Sequence, residues 1–118
     1  MKPEDFNQTR EAQNELVLKQ ANLGIKRFFN LDEAAYQDGA LPRKTKELLG
    51  LVSSAVLRCD DCIRYHLGRC FEEGVSTEEL GEALNIALIV GGSIVIPHFR
   101  RAMVYWQDLQ DGAQKPSK

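Results

Sequence analysis

The sequence has no basic stripe and no basic tail: fifteen Lys and Arg are interspersed with seventeen Asp and Glu, for a formal net charge of -2. The electrostatic footprint of a nucleic-acid binder is therefore missing, and small molecules or proteins are the expected partners. An apolar leader is also lacking, since Met1-Lys2-Pro3-Glu4-Asp5 is polar. The longest apolar run, Ile86 to Ile96, is interrupted by Gly91, Gly92 and Ser93 and is too short to span a bilayer. No membrane association and a cytoplasmic location are expected. Strand-like alternation of useful length is absent, and Asp38-Gly39 stands between helical patterns, where it reads as a helix stop. Cysteine is scarce, three residues in 118, which excludes a disulfide scaffold. In a reducing compartment a close cysteine pair reads instead as catalytic, redox-sensing or metal-binding.

What remains is a helical chain of one-domain size, large enough for a hydrophobic core. The pattern predicts a first helical region from about Phe6 to Phe29, with Leu16, Leu23 and Phe28 near one stripe and a break near Gly24 or Asn30. A short segment, Leu31 to Gln37, ends at Asp38-Gly39. Pro42 then opens a helix to about Leu57, whose apolar face is Leu48, Leu49, Val52 and Val56. The next helix starts near Cys59 and stops at Gly74. Ser76-Thr77-Glu78-Glu79 reads as a capping box opening a helix to about Val90. Pro97 opens the last helix, to about Leu109, and a polar, flexible tail is expected over 111–118. The expected architecture is thus all-α, a single antiparallel bundle of about six helices over 1–110. Ala83 to Ile96 is apolar on nearly all sides. A chain this small struggles to surround one of its helices, so a subunit interface is expected there.

Chemistry concentrates in Arg58-Cys59-Asp60-Asp61-Cys62-Ile63-Arg64-Tyr65-His66. Each helical residue advances ~100°, so Cys59 and Cys62 are neighbours on one face and His66 lies above Cys62. Thiols one turn apart can meet disulfide spacing. The reactive species is the thiolate. A helix N-terminus favours it electrostatically, and a nearby imidazole can take the thiol proton. Asp60 and Asp61 work the other way, adding negative charge beside the sulfurs, although carboxylates also suit a first helical turn. The alternatives are two small core residues with a satisfied histidine, or a zinc site using Cys59, Cys62 and His66 with Glu47 or Cys70.

Glu47, Cys59, Cys62 and His66 reproduce, at every spacing, the pattern Glu, eleven residues, then C-x-x-C-x-x-x-H. In this the sequence resembles the carboxymuconolactone decarboxylase superfamily, specifically its alkylhydroperoxidase D-like branch, from about Leu41 through Gly91-Gly92 and more loosely to Leu109. The resemblance implies an all-α fold, assembly into trimers or hexamers, and no organic cofactor or metal. It implies a dithiol that reduces hydroperoxides or passes electrons from a lipoyl-type or thioredoxin-like donor. By the same resemblance Cys62 is the attacking thiol, Cys59 closes the disulfide, and His66 with Glu47 forms the proton relay. The fullest form of the motif has a second histidine directly before the second cysteine, where this sequence has Asp61.

Among the other residues, Cys70 reads as a small buried apolar side chain. His98 reads as structural or interfacial, or as reaching a neighbouring subunit's active site. Tyr65 is read as packing along its helix face, with a hydrogen bond into the site as the alternative, Tyr105 and Trp106 as core or interface, and Arg100 and Arg101 as solvated or interface charges. Two other functions compete with the redox one: a decarboxylase acting on a carboxylated muconolactone, which needs no dithiol, and a helical oligomer without catalysis.

Overall fold

A computed structural model describes residues 1–114. Six α-helices follow one another: α1 (Pro3–Lys19), α2 (Leu23–Ala35), α3 (Arg43–Val56), α4 (Asp60–Glu72), α5 (Thr77–Gly91) and α6 (Ile96–Gln114), with a short 3₁₀ turn at Ser93–Val95 before α6. No strand occurs among the described residues. The fold is all-α, as expected.

The helix boundaries follow from local chemistry. Pro3 at the first position of α1, with Glu4 and Asp5 in its first turn, suits the positive end of a helix. Ser76 and Glu79 form the expected capping box: the Glu79 N–H donates to Ser76 Oγ and the Ser76 N–H to Glu79 Oε1, at 3.1 and 2.9 Å. Gly74, at φ +80°, closes α4 with the Gly74 and Val75 N–H groups donating to Phe71 and Cys70 carbonyls.

The core lies where α3 packs on α4 and α5, and α4 on α6. Leu51, Leu67, Leu80, Leu84, Val95 and Trp106 are completely or almost completely buried there. Trp106 meets Phe71 edge-on and donates its Nε1–H to Thr77 Oγ1 at 3.0 Å, so its single polar atom is satisfied. Tyr105 is buried too, with Phe6 of α1 set edge-on against it.

Three boundaries differ from expectation. The first helical region is two helices, parted at Gln20-Ala21-Asn22, because the Asn22 side chain caps α2 by accepting the Ile25 N–H at 2.9 Å. Second, α2 runs through Asn30 to Ala35, so Leu31–Gln37 is not a separate segment. Third, α6 continues past Leu109 to Gln114, so Asp111–Gln114 belong to a helix rather than a tail. The rest of that expected tail, 115–118, lies outside the described residues.

Helix α2 buries none of its residues. Phe28 and Leu31 of its apolar face are 69% and 70% exposed. The radius of gyration is 15.1 Å, against roughly 13.5 Å for a compact chain of this length. Helix α5 likewise turns Leu80, Leu84 and Ala87 inward but leaves Ile86, Ile89 and Val90 outside.

Candidate active site

The turn between α3 and α4 sets the site. Arg58 stands at φ +59°, the left-handed slot usually given to glycine. From there the Arg58 N–H donates to the Ala55 carbonyl and the Cys59 N–H to the Ser54 carbonyl, which closes α3. Cys59 is at once the residue that completes this closure and the N-cap of α4, and its Sγ accepts the Cys62 N–H at 3.2 Å. Both sulfurs therefore lie at the positive end of α4. Cys59 and Cys62 are joined as a disulfide, with Cα atoms 5.3 Å apart, inside the range ordinary disulfides occupy. Cys62 is an exposed residue and Cys59 a half-buried one, and of the two only Cys62 lines the cavity described below.

His66 follows one turn along α4 and is buried. Its Nδ1 lies 2.9 Å from Oε1 of Glu47, contributed by α3 and 1% exposed. Glu47 Oε2 faces Arg43 Nε at 3.5 Å and Arg69 Nε at 3.8 Å, ionic contacts without hydrogen-bond geometry. Two guanidinium groups thus compensate a carboxylate that burial would otherwise penalise. On the other side of the ring, Tyr36 Oη stands 3.5 Å from His66 Nε2, a long contact made by the residue that caps α2. Gly50 creates the space for both groups: a Cβ there would lie 2.6 Å from His66 Cε1 and 2.8 Å from Tyr36 Oη.

The two acids beside the cysteines are both paired. Asp60 receives the His98 Nδ1 contact at 2.7 Å and the Arg101 Nε–H bond at 3.1 Å. Partial burial would raise the Asp60 carboxyl, but the His98 bond and the Arg101 charge outweigh it and hold it below the ordinary carboxylate value. Arg64 Nη1 donates to Asp61 at 3.1 Å. Their charge is thus compensated, which removes much of the electrostatic objection to a thiolate here. His98 is tied to Asp60 within the same chain, and Arg101 is engaged rather than free.

A cavity of about 500 Å³ opens over Cys62, Tyr65 and His66 and is roofed from α1 and α2 by Phe6, Arg10 and Asp32. Arg10 lies over the Tyr65 ring, 4.1 Å from its centroid, a cation–π contact. Cys70 is buried and free, its thiol pushed up to about 12 mainly by burial, so it behaves as the small apolar residue expected. Among the described residues no group of three or more His, Cys, Asp and Glu side chains is arranged to hold a metal ion. No helix there is long and apolar enough to cross a membrane. The structure therefore gathers Cys59, Cys62, His66 and Glu47. It adds Tyr36, Gly50, Arg43 and Arg69, which sequence reasoning did not single out. Only Glu47's spacing pointed toward its partners; Tyr36 lies 30 residues from His66 in an uninformative stretch.

Comparison with known proteins follows the same outline. Residues 25–104 match the model of the carboxymuconolactone decarboxylase family. A crystal structure from Thermotoga maritima shares 60% identity over 91% of each chain with a TM-score of 0.87; it is described as a member of that family with a suggested part in antioxidative response. A family protein from Legionella pneumophila, in its apo form, superimposes with a TM-score of 0.82 at 26% identity, covering 90% of this chain and 95% of its own. An uncharacterised protein of Cupriavidus necator is 32% identical over 82 residues, 70% of this chain and 73% of that protein.

Proposed function

Since this chain belongs to the carboxymuconolactone decarboxylase family, we propose that it is the family's thiol–disulfide type: a dithiol peroxidase or disulfide oxidoreductase working through Cys59 and Cys62. The single observation that carries the reading is the pair of cysteines, bonded at the N-terminus of α4, with Cys62 lining a cavity shared with His66. The antioxidative link suggested for the Thermotoga maritima relative agrees with it.

In the reduced protein His66 takes the Cys62 proton at Nε2, because Nδ1 is engaged by Glu47. The Cys62 thiolate attacks one oxygen of a hydroperoxide. An S–O bond forms, the O–O bond breaks, and the departing alkoxide leaves as an alcohol with the proton from His66. Cys59 then attacks the Cys62 sulfenic acid: an S–S bond forms and the hydroxyl leaves as water. An external dithiol, of lipoyl or thioredoxin type, reduces the disulfide by exchange and is itself oxidised. The residues need no metal or organic cofactor for these steps, and a reducing cytoplasm suits the cycle.

The chain works as a homo-oligomer, a trimer or hexamer in this reading. The outward Ile86, Ile89 and Val90 of α5 and Phe28 and Leu31 of α2 support it, because apolar surface of this kind is stable when covered. The test is turnover. With a dithiol donor in excess, the protein consumes organic hydroperoxide and Cys62→Ser does not. Equal consumption by both proteins rejects the reading.

A further inference from the structure

His66 lies between two cavities. Cys62 lines the first, with Tyr65 and His66. The second, about 420 Å³, is lined by Tyr36, Gly50, Ser53, Ser54 and His66 and does not include Cys62. With Glu47 on Nδ1, the ring has one nitrogen left, and Tyr36 Oη is 3.5 Å from it. Once reduced, Cys62 also has a proton to deliver to that nitrogen.

We propose that Tyr36 is a positioning residue that competes with Cys62 for His66 Nε2: its hydroxyl occupies the nitrogen while the disulfide is closed and shares it with the Cys62 thiol once the disulfide is reduced. The inference rests on the relay reading of His66 given above. It goes further by naming a residue outside the cysteine motif that sets how readily the thiolate forms.

Three observations support it. The Tyr36 hydroxyl keeps its proton, since burial first, and then the charges of Asp32 and Glu47, push it above the ordinary phenol value; with the Nδ1 proton facing Glu47, Nε2 is the acceptor and the hydroxyl the donor. The glycine at position 50 is the space the contact needs, because any Cβ there meets both partners. Tyr36 also sits at the end of α2, a helix that buries none of its own residues, so it can shift at little packing cost. The other charged and titratable groups around the ring are Glu47 from α3, backed by Arg43 and Arg69, and Cys62 and Tyr65 from α4. Arg10 of α1, Asp32 of α2 and Asp61 of α4 line the Cys62 cavity.

The experiment is the pH profile of Cys62 alkylation by iodoacetamide in the fully reduced protein, resolved from Cys59 and Cys70 by peptide mapping. Tyr36→Phe frees Nε2 for Cys62. Alkylation at neutral pH should rise by roughly two- to tenfold, the factor one neutral hydrogen bond is worth, and the midpoint should move to lower pH. An unchanged midpoint, or one moved upward, overturns the proposal. His66→Ala, run alongside, separates the two readings. If it slows Cys62 while Tyr36→Phe matches the wild type, the relay stands and the role of Tyr36 fails. If His66→Ala changes nothing, the relay fails and the proposal with it. Should Tyr36→Phe not fold, nitrogen-15 NMR of the wild-type imidazoles serves. The His66 Nε2 resonance should move on reduction of the disulfide; the same shift in both redox states overturns the proposal.

Discussion

Glu47 Oε1 lies 2.9 Å from His66 Nδ1 although 19 residues separate them in the chain. One comes from the second turn of α3 and the other from the middle of α4. The contact fixes which imidazole nitrogen faces Glu47 and which is left for chemistry, much as a carboxylate orients histidine in other nucleophilic sites.

Replacing Glu47 by Gln keeps the shape and removes the charge that faces Arg43 and Arg69. Removing the carboxylate leaves two partly exposed guanidinium groups uncompensated, a loss below the roughly 3–5 kcal/mol of a fully buried pair because solvent screens them. Urea unfolding of Glu47→Gln should show such a drop, and Cys62 alkylation at neutral pH should slow. A variant as stable as the wild type would show that the arginines find solvent instead.

Gly50→Ala places a methyl group where His66 and Tyr36 already are. Overpacking of this kind costs about 1–3 kcal/mol, and relief requires the imidazole or the phenol to move. Thermal unfolding should show the loss, and the peroxide-dependent turnover should fall more than the stability does. A fully active, fully stable Gly50→Ala protein would mean that this space is not needed.

Arg58 holds the left-handed position between α3 and α4 at the cost any side chain meets there, about 1 kcal/mol. Arg58→Gly relieves that strain and regains part of it as stability, about 0.5 kcal/mol after the extra freedom of glycine in the unfolded chain is counted. The check is the urea midpoint, which should rise. A fall would show that the guanidinium contributes more than the strain removes.

Asp60 ties the start of α4 to the start of α6 through His98 and Arg101. Its carboxyl sits below the ordinary value of 3.8, so the stability it contributes is present above that pH and lost as pH falls through the depressed value. Both partners are partly solvated, which limits the effect to about 0.5 kcal/mol. Asp60→Asn should therefore be less stable than the wild type near neutrality and match it once Asp60 is protonated in both states. A difference persisting in strong acid would assign the effect to packing.

The candidate site was legible in the sequence to the extent that it is local. Cys59, Cys62 and His66 share one helix, and the Ser76 capping box and Gly74 depend on neighbours a few residues away, so spacing alone located them. Glu47 was reached by its motif distance. Groups brought together by packing left no such trace. Tyr36 meets His66 across 30 residues, and Asp60 meets His98 and Arg101 across 38 and 41. The break falls at Gln20–Asn22 and not at Gly24, because glycine only weakens a helix whereas the Asn22 side chain starts a new one by capping α2. Asp111 and Gly112 in α6 are weak helix formers too. Helix α6 nonetheless continues through them: Gln107 Nε2 donates to Asp111 Oδ1 at 2.9 Å, and Gln110 Nε2 bonds Thr77 Oγ1 at 2.9 Å.

In the proposed function Cys59 and Cys62 form a working dithiol pair. Its most direct test is a thiol count on the reduced protein before and after one equivalent of organic hydroperoxide, with the cysteines mapped by mass spectrometry. Free thiols should fall from three to one, with Cys59 linked to Cys62 and Cys70 untouched. Three free thiols after peroxide would contradict it.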